Sequence, residues 1–233
     1  MQTLTAFRAL WQGIRDPRHL ERPTASTAVA IFAAAVMVLT LAATATVYIE
    51  HGNAALRAET EQLDVLGPQQ MGEGASVDTD AANRQFTAVL GGALIRSVVT
   101  LAVMALMFFA LTRFLTDRPI AYSASLAALS ATAGIEVLRS VISLAPHLLF
   151  GTSRAGFHLG AMLQPLDHPF LFVWLQRIDV FNVWHYIAAA MALATWSDLH
   201  YRYGWVIGGV VFLVVQILMG GLTLVAWILA QGV

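Results

Sequence analysis

Between Thr24 and Ile49 the chain runs without one charged side chain. A bilayer's hydrocarbon core of ~30 Å takes about 20 apolar residues of helix, so this run is long enough to cross one. Four more apolar runs follow, and the spacing predicts spans over about 24–49, 90–115, 120–144, 180–196 and 203–230. Composition agrees: 58% of residues are hydrophobic and 12% charged, against about 45–50% and about 25% in soluble domains. The expected fold class is all-α, a polytopic membrane protein with five transmembrane helices plus an N-terminal amphipathic interfacial helix. Residues 1–23 read as a cytoplasmic amphipathic leader and 24–233 as the five-helix domain, with exoplasmic loops 50–85 and 145–179.

Thirteen basic against 14 acidic side chains give a net charge of −1, which supplies no field for a nucleic-acid partner. The absence of cysteine removes disulfides, thiolate nucleophiles and iron–sulfur clusters. The chain contains no GxSxG, P-loop, GxGxxG or HExxH motif and no paired intramembrane aspartates, so a non-enzymatic protein without cofactor or metal is expected. His147, His158, His168 and His185 fall on the expected exoplasmic side, but their spacing is not that of metal ligands.

Orientation follows from arginines in short loops near the helix ends. Arg8, Arg15, Arg18, Arg22, Arg113, Arg118 and Arg202 lie on one side, and Arg57, Arg84, Arg154 and Arg177 on the other. The N-terminus is thus expected in the cytoplasm and the C-terminus outside. The 50–85 loop, with Glu50, Glu59, Glu61, Asp64, Glu73, Asp78 and Asp80, is too polar to build a core. Trp196, Tyr201, Tyr203 and Trp205 mark one interface, and Tyr48, Trp174, Trp184 and Trp227 the other. The first span is too long for a signal-peptide core and reads as retained. Thr116-Asp-Arg-Pro119 is a tight turn joining antiparallel spans two and three, with Pro119 in the first turn of span three.

Four groups of residues stand out. The leader places Phe7, Trp11 and Ile14 with Leu4 and Leu10 on one helical face, suited to the cytoplasmic leaflet or to the protein's own bundle. Arg96, Glu136 and Arg139 are ionisable residues inside apolar runs, where an unpaired charge costs at least ~2.5–3.5 kcal/mol. Arg96 and Glu136 lie 20 residues either side of Thr116, hence at matching depth, and Glu136 and Arg139 share a helix face. The expected cluster is net positive, either a structural ion pair or an anion or lipid-headgroup site. Asp179 suits an N-cap for span four, with Asn182 and His185 forming a polar strip one turn deeper, able to bond another helix or headgroups. Gly204, Gly208, Gly220 and Gly221 allow close helix packing, within the bundle or with a second copy. From Phe157 to Leu175, apolar residues interrupted by Pro165 and Pro169 read as a short amphipathic or re-entrant piece.

Five spans, a cytoplasmic N-terminus, the short second loop and the opening of span four, with Asp179, Phe181, Asn182, Trp184 and His185, resemble the Yip family of Ypt/Rab-GTPase-interacting membrane proteins. The leader ending in Arg15-Asp-Pro17 is similar to that of its short prokaryotic members. The resemblance implies a protein of the endomembrane or the bacterial inner membrane. In eukaryotes such proteins act in vesicle trafficking and membrane shaping through prenylated Rab GTPases. The expected function is organisation of membrane or protein partners, with membrane lipids and a homo-oligomer as expected associations. The alternative is a lipid or small-anion transporter or binding protein using Arg96, Glu136 and Arg139.

Overall fold

A chain so poor in charge satisfies its backbone internally, and the computed structural model, which describes residues 2–52, 79–116, 120–152, 156–163 and 169–230, does so with helices. They are α1 (Gln2–Arg15), α2 (Ala25–Gly52), α3 (Thr79–Thr116), α4 (Tyr122–Thr132), α5 (Gly134–Phe150), α6 (Pro169–Leu175), α7 (Val180–Trp196) and α8 (Tyr203–Ala230), with 3-10 turns at Pro17–His19 and Leu159–Met162. Four stretches are long and apolar enough to cross a membrane: Ala25–Ile49, Thr87–Thr116, Tyr122–Phe150 and Tyr203–Gly221. Helices α2 and α3 and the α4–α5 pair reach beyond the expected spans. Pro119 and most of the 50–85 loop lie outside the described residues.

α7 is the centre of the bundle. Every residue from His185 to Ala194 is buried, and Ala188, Ala189, Ala190, Ala192 and Ala194 are wholly enclosed. Small side chains let neighbouring backbones approach, which is how helices associate where lipid removes most of the hydrophobic driving force. α8 runs antiparallel to α7: a Cβ on Gly204 would meet the Met191 backbone at 2.6 Å, and one on Gly208 the Ile187 Cα at 2.7 Å. The Gly204-xxx-Gly208 pair is therefore used inside this chain. Gly220 makes room for the Trp174 indole, which donates to Gln216 O at 3.0 Å. Gly221, expected to pack a helix, faces open space.

That antiparallel register sets Trp205 level with Ala190. Trp184 is six residues further along α7, about 9 Å away, a gap that two indoles span. Trp184 and Trp205, expected at opposite interfaces, thus come within 6.2 Å of each other. Trp196, expected in an interfacial belt, is buried and donates its indole N–H to Leu20 O at 2.7 Å.

α1 departs from a helix lying on a leaflet. Ala6, Leu10 and Gly13 are buried on the bundle side, and a Cβ on Gly13 would meet Ala131 O at 2.2 Å. Ile14 reaches Gly134, where a Cβ would meet its Cδ1 at 2.7 Å. These contacts lie roughly 14–18 Å along the helical stretch that begins at Tyr122. A side-chain-free position on each helix permits this docking. Trp11 alone of the expected leader anchors is 64% exposed; the side chain of Phe7 lies outside the described ones. The 157–175 segment forms the Leu159–Met162 turn and α6, the latter opened by Pro169; Pro165 lies outside the described residues.

Candidate functional site

The site starts from a break in a helix. In the run Ser130-Ala-Thr132-Ala-Gly134, Thr132 Oγ1 donates back to Ala128 O and Leu129 O at 3.0 and 3.2 Å, a habit that bends helices. Ala133 N then donates to Ser130 O at 3.2 Å. This 3-10 bond takes the amide that would otherwise close on Leu129 O, so α4 ends and α5 begins. The Leu129 carbonyl is released inside the bundle, and His185 of α7 answers it: its Nε2 lies 3.2 Å from Leu129 O.

Two residues past the break, Glu136 extends from the first turn of α5, and its Oε1 lies 3.2 Å from His185 Nδ1. Arg139, one turn on, donates from Nη1 to Glu136 Oε2 at 3.2 Å and from Nη2 to Gln176 O at 3.3 Å. Its Nε lies 2.5 Å from Asp179 Oδ2. That oxygen accepts no hydrogen bond, so the contact is ionic. Asp179 is the N-cap of α7, accepting from Asn182 N at 2.8 Å through Oδ1. Asn182 donates to Arg177 O at 2.6 Å and so closes the cap on the preceding segment. Burial pushes the Asp179 carboxyl up, while Arg139 pulls it down. The half-buried Arg177 is shifted down by burial, and it makes no ion pair among the described residues.

The expected Arg96–Glu136–Arg139 cluster forms only in part. Arg96 is exposed on α3 and makes no ion pair among the described residues. The buried stripe of α3 runs through Ala93, Ser97, Leu101, Ala105, Phe108 and Thr112. At about 100° per residue Arg96 stands roughly a third of a turn from the centre of that stripe. Matching depth therefore brought no contact. In its place stand His185 and Asp179, so one arginine faces two carboxylates and the net-positive cluster is not what forms. Phe181 and Trp184 are only partly buried and outside the ionic group.

Sequence reasoning missed the Leu129 carbonyl, because a main-chain acceptor has no side-chain signature, although a threonine two residues before a glycine inside an apolar run was its signal. It also gave Arg177 no place in the ionic group. Among the described residues no group of three His, Asp or Glu side chains is arranged to hold a metal. Compared with family models, curated proteins and solved structures, the chain matches none.

Proposed function

We propose that this is a five-pass, non-enzymatic integral membrane protein that organises membrane or protein partners, as the Yip resemblance implies. α7 serves as the fifth crossing. Its 17 residues extend only about 25 Å, but it is enclosed by α8, α4 and α5 and never has to match the lipid on its own. Five crossings leave the termini on opposite sides, with the arginine-rich end in the cytoplasm of a bacterial inner membrane.

The observation that carries this reading is a division of labour. The acids of the cluster are consumed internally, Glu136 by Arg139 and His185 and Asp179 by Arg139, which ties α5 to α7. Apart from Arg96 on α3, the outer faces of α3 and α8 are apolar and open. They display Ile95, Val99, Val103 and Leu106 on one and Val206, Leu213 and Ile217 on the other, with outward-facing Gly91, Gly92, Gly209 and Gly221. Such faces suit lipid or another helix.

A second reading, a binding protein for an anionic lipid or small anion, is favoured by Arg177, half-buried beside Arg139 with no acid paired to it among the described residues. Native mass spectrometry from lipid nanodiscs tests both. The organiser reading expects a homo-oligomer or a protein adduct with no lipid retained specifically, unchanged in Arg177→Gln. A defined anionic lipid held by the wild type and lost in Arg177→Gln would overturn it in favour of the second.

A further inference from the structure

The His185 ring lies between two oxygens that cannot both be satisfied by a neutral imidazole. Leu129 O is a carbonyl and only accepts, so Nε2 carries a hydrogen. That leaves Nδ1 of a neutral ring as a bare acceptor, 3.2 Å from an oxygen of Glu136. If Glu136 were ionised as well, two acceptors would face each other in a site where His185 is 2% exposed. The contact becomes a hydrogen bond only if one more proton is present, on Nδ1 with Glu136 ionised or on the carboxyl with His185 neutral. Both arrangements have the same composition.

We propose that Glu136 and His185 form a proton-binding site at the α4/α5 break, holding one proton between them in the folded protein. The ligand is the proton itself. On release it goes to solvent and leaves a carboxylate and a neutral imidazole. The ring bridges the break, touching α4 through Leu129 and α5 through Glu136, so occupancy is coupled to how firmly the two half-helices are held against α7. Discontinuous helices at depth are a recurrent setting for ion sites in membrane proteins. The Glu136 side chain is 20% exposed and that of Arg139, which reaches Gln176 O and Asp179, is 30% exposed, so the pair is not sealed inside the bundle. The inference does not depend on what binds the outer faces.

The charged neighbours are few. Arg139 touches Glu136 and is itself paired to Asp179, Arg177 lies beside Arg139, and Tyr186 follows His185 on α7. The only titratable residue of α4 is Tyr122 and that of α8 is Tyr203, each at a far end of its helix. α2 has none before Tyr48, and Arg8 and Arg15 of α1 are exposed. Glu136 and His185 are therefore the pair through which this junction exchanges a proton.

The variant Glu136→Gln separates geometry from charge, because its amide N–H can donate to the Nδ1 of a neutral His185 and keep both hydrogen bonds without the extra proton. Nitrogen-15 histidine and carbon-13 carboxyl NMR near neutral pH, with His185 assigned by the signal lost in His185→Gln, reads the site directly. The wild type should show either a doubly protonated His185 or a protonated Glu136 carboxyl, and Glu136→Gln a neutral ring. Thermal unfolding between about pH 6.5 and 9 gives an independent reading. The folded wild type binds more protons than the unfolded chain in that window, so its folded-to-unfolded ratio should fall with rising pH by up to ~10-fold per unit, while Glu136→Gln stays flat. A neutral His185 beside an ionised Glu136 in the folded wild type overturns the proposal, as does an identical pH slope in the two proteins. If Glu136→Gln fails to fold, the NMR of the wild type alone decides.

Discussion

α1 docks through a position that tolerates no side chain, and Gly13→Ala turns that into a measurable prediction. A Cβ at residue 13 would lie 2.2 Å from Ala131 O, where ordinary contact begins at 3.4 Å, so α1 must withdraw by about 1.2 Å. Withdrawal by ~1 Å forfeits up to about half of each dispersion well. Leu10, 5% exposed, is packed well enough to make some ~40–60 atomic contacts of ~0.1–0.2 kcal/mol, so the docked state loses roughly 2–6 kcal/mol. Alanine's better helix propensity acts on the docked and the undocked helix alike and cancels, so the full roughly 2–6 kcal/mol, at least about 30-fold, falls on the docking equilibrium. The helix itself is strengthened, so any loss belongs to docking. Because the chain has no cysteine, an Ala6→Cys reporter can be labelled with a maleimide without background. Ala6 is 1% exposed, so the reporter should be protected in the parent and open in the Gly13→Ala background by that factor. Equal labelling rates in the two backgrounds would refute the packing argument.

Three further outcomes follow from the same geometry. Arg139→Gln leaves Asp179, 4% exposed, without its cation and should cost about 3–5 kcal/mol, whereas Arg96→Gln, on an open face, should stay within ~0.5 kcal/mol; chemical or thermal unfolding in nanodiscs ranks them, and equal losses would mean Arg96 does join the cluster. Gly208→Val drives a side chain into the Ile187 backbone and should lower Tm sharply, while Gly209→Val meets nothing within 4 Å and should leave it nearly unchanged; reversal of that order would refute the α7–α8 register. Arg18 and His19 hydrogen-bond the Asp16 carboxyl and hold it below the usual carboxylate range. The turn at 16–20 is therefore supported above the ordinary value near ~3.9 and loses that support as pH falls through the lowered one. Hydrogen exchange at the His19 and Leu20 amides should report the loss, and Asp16→Asn should abolish its pH dependence.

Element type was legible because the length of an apolar run is a local property: α2, α3 and α8 can be read from residues that lack charge. The Asp179 cap was legible for the same reason, since a capping bond closes within three residues. What failed were properties of rotation and of small residues. The sequence predicts the depth of Arg96, because rise per residue is fixed, but which way the side chain points depends on which stripe of α3 finds partners, and Ala93, Ser97 and Leu101 won. The leader reads as interfacial from its apolar face, yet Gly13 and Gly134 offered a closer fit than a headgroup layer. Glycine in an apolar helix is neutral on its own; only the facing backbone makes it a docking position.

The break between α4 and α5 joins these strands. In a continuous helix from Tyr122 to Phe150 the Leu129 carbonyl would already accept from its own ladder and would offer His185 a more crowded acceptor. Thr132 and Ala133 divert that ladder, and the released carbonyl fixes which nitrogen of His185 carries a hydrogen. With that nitrogen fixed, Glu136 must supply or share a proton to bond the other. The cluster is thus ordered from the backbone outward: the break sets the tautomer, the tautomer sets the proton count, and the proton count leaves Arg139 free to serve Asp179 as well as Glu136. Restoring the ladder with Thr132→Ala should return Leu129 O to the helix and weaken its bond to His185. In that variant the nitrogen-15 signal of Nε2 should lose part of its hydrogen-bonded shift, and an unchanged signal would mean that the break is not what holds the ring.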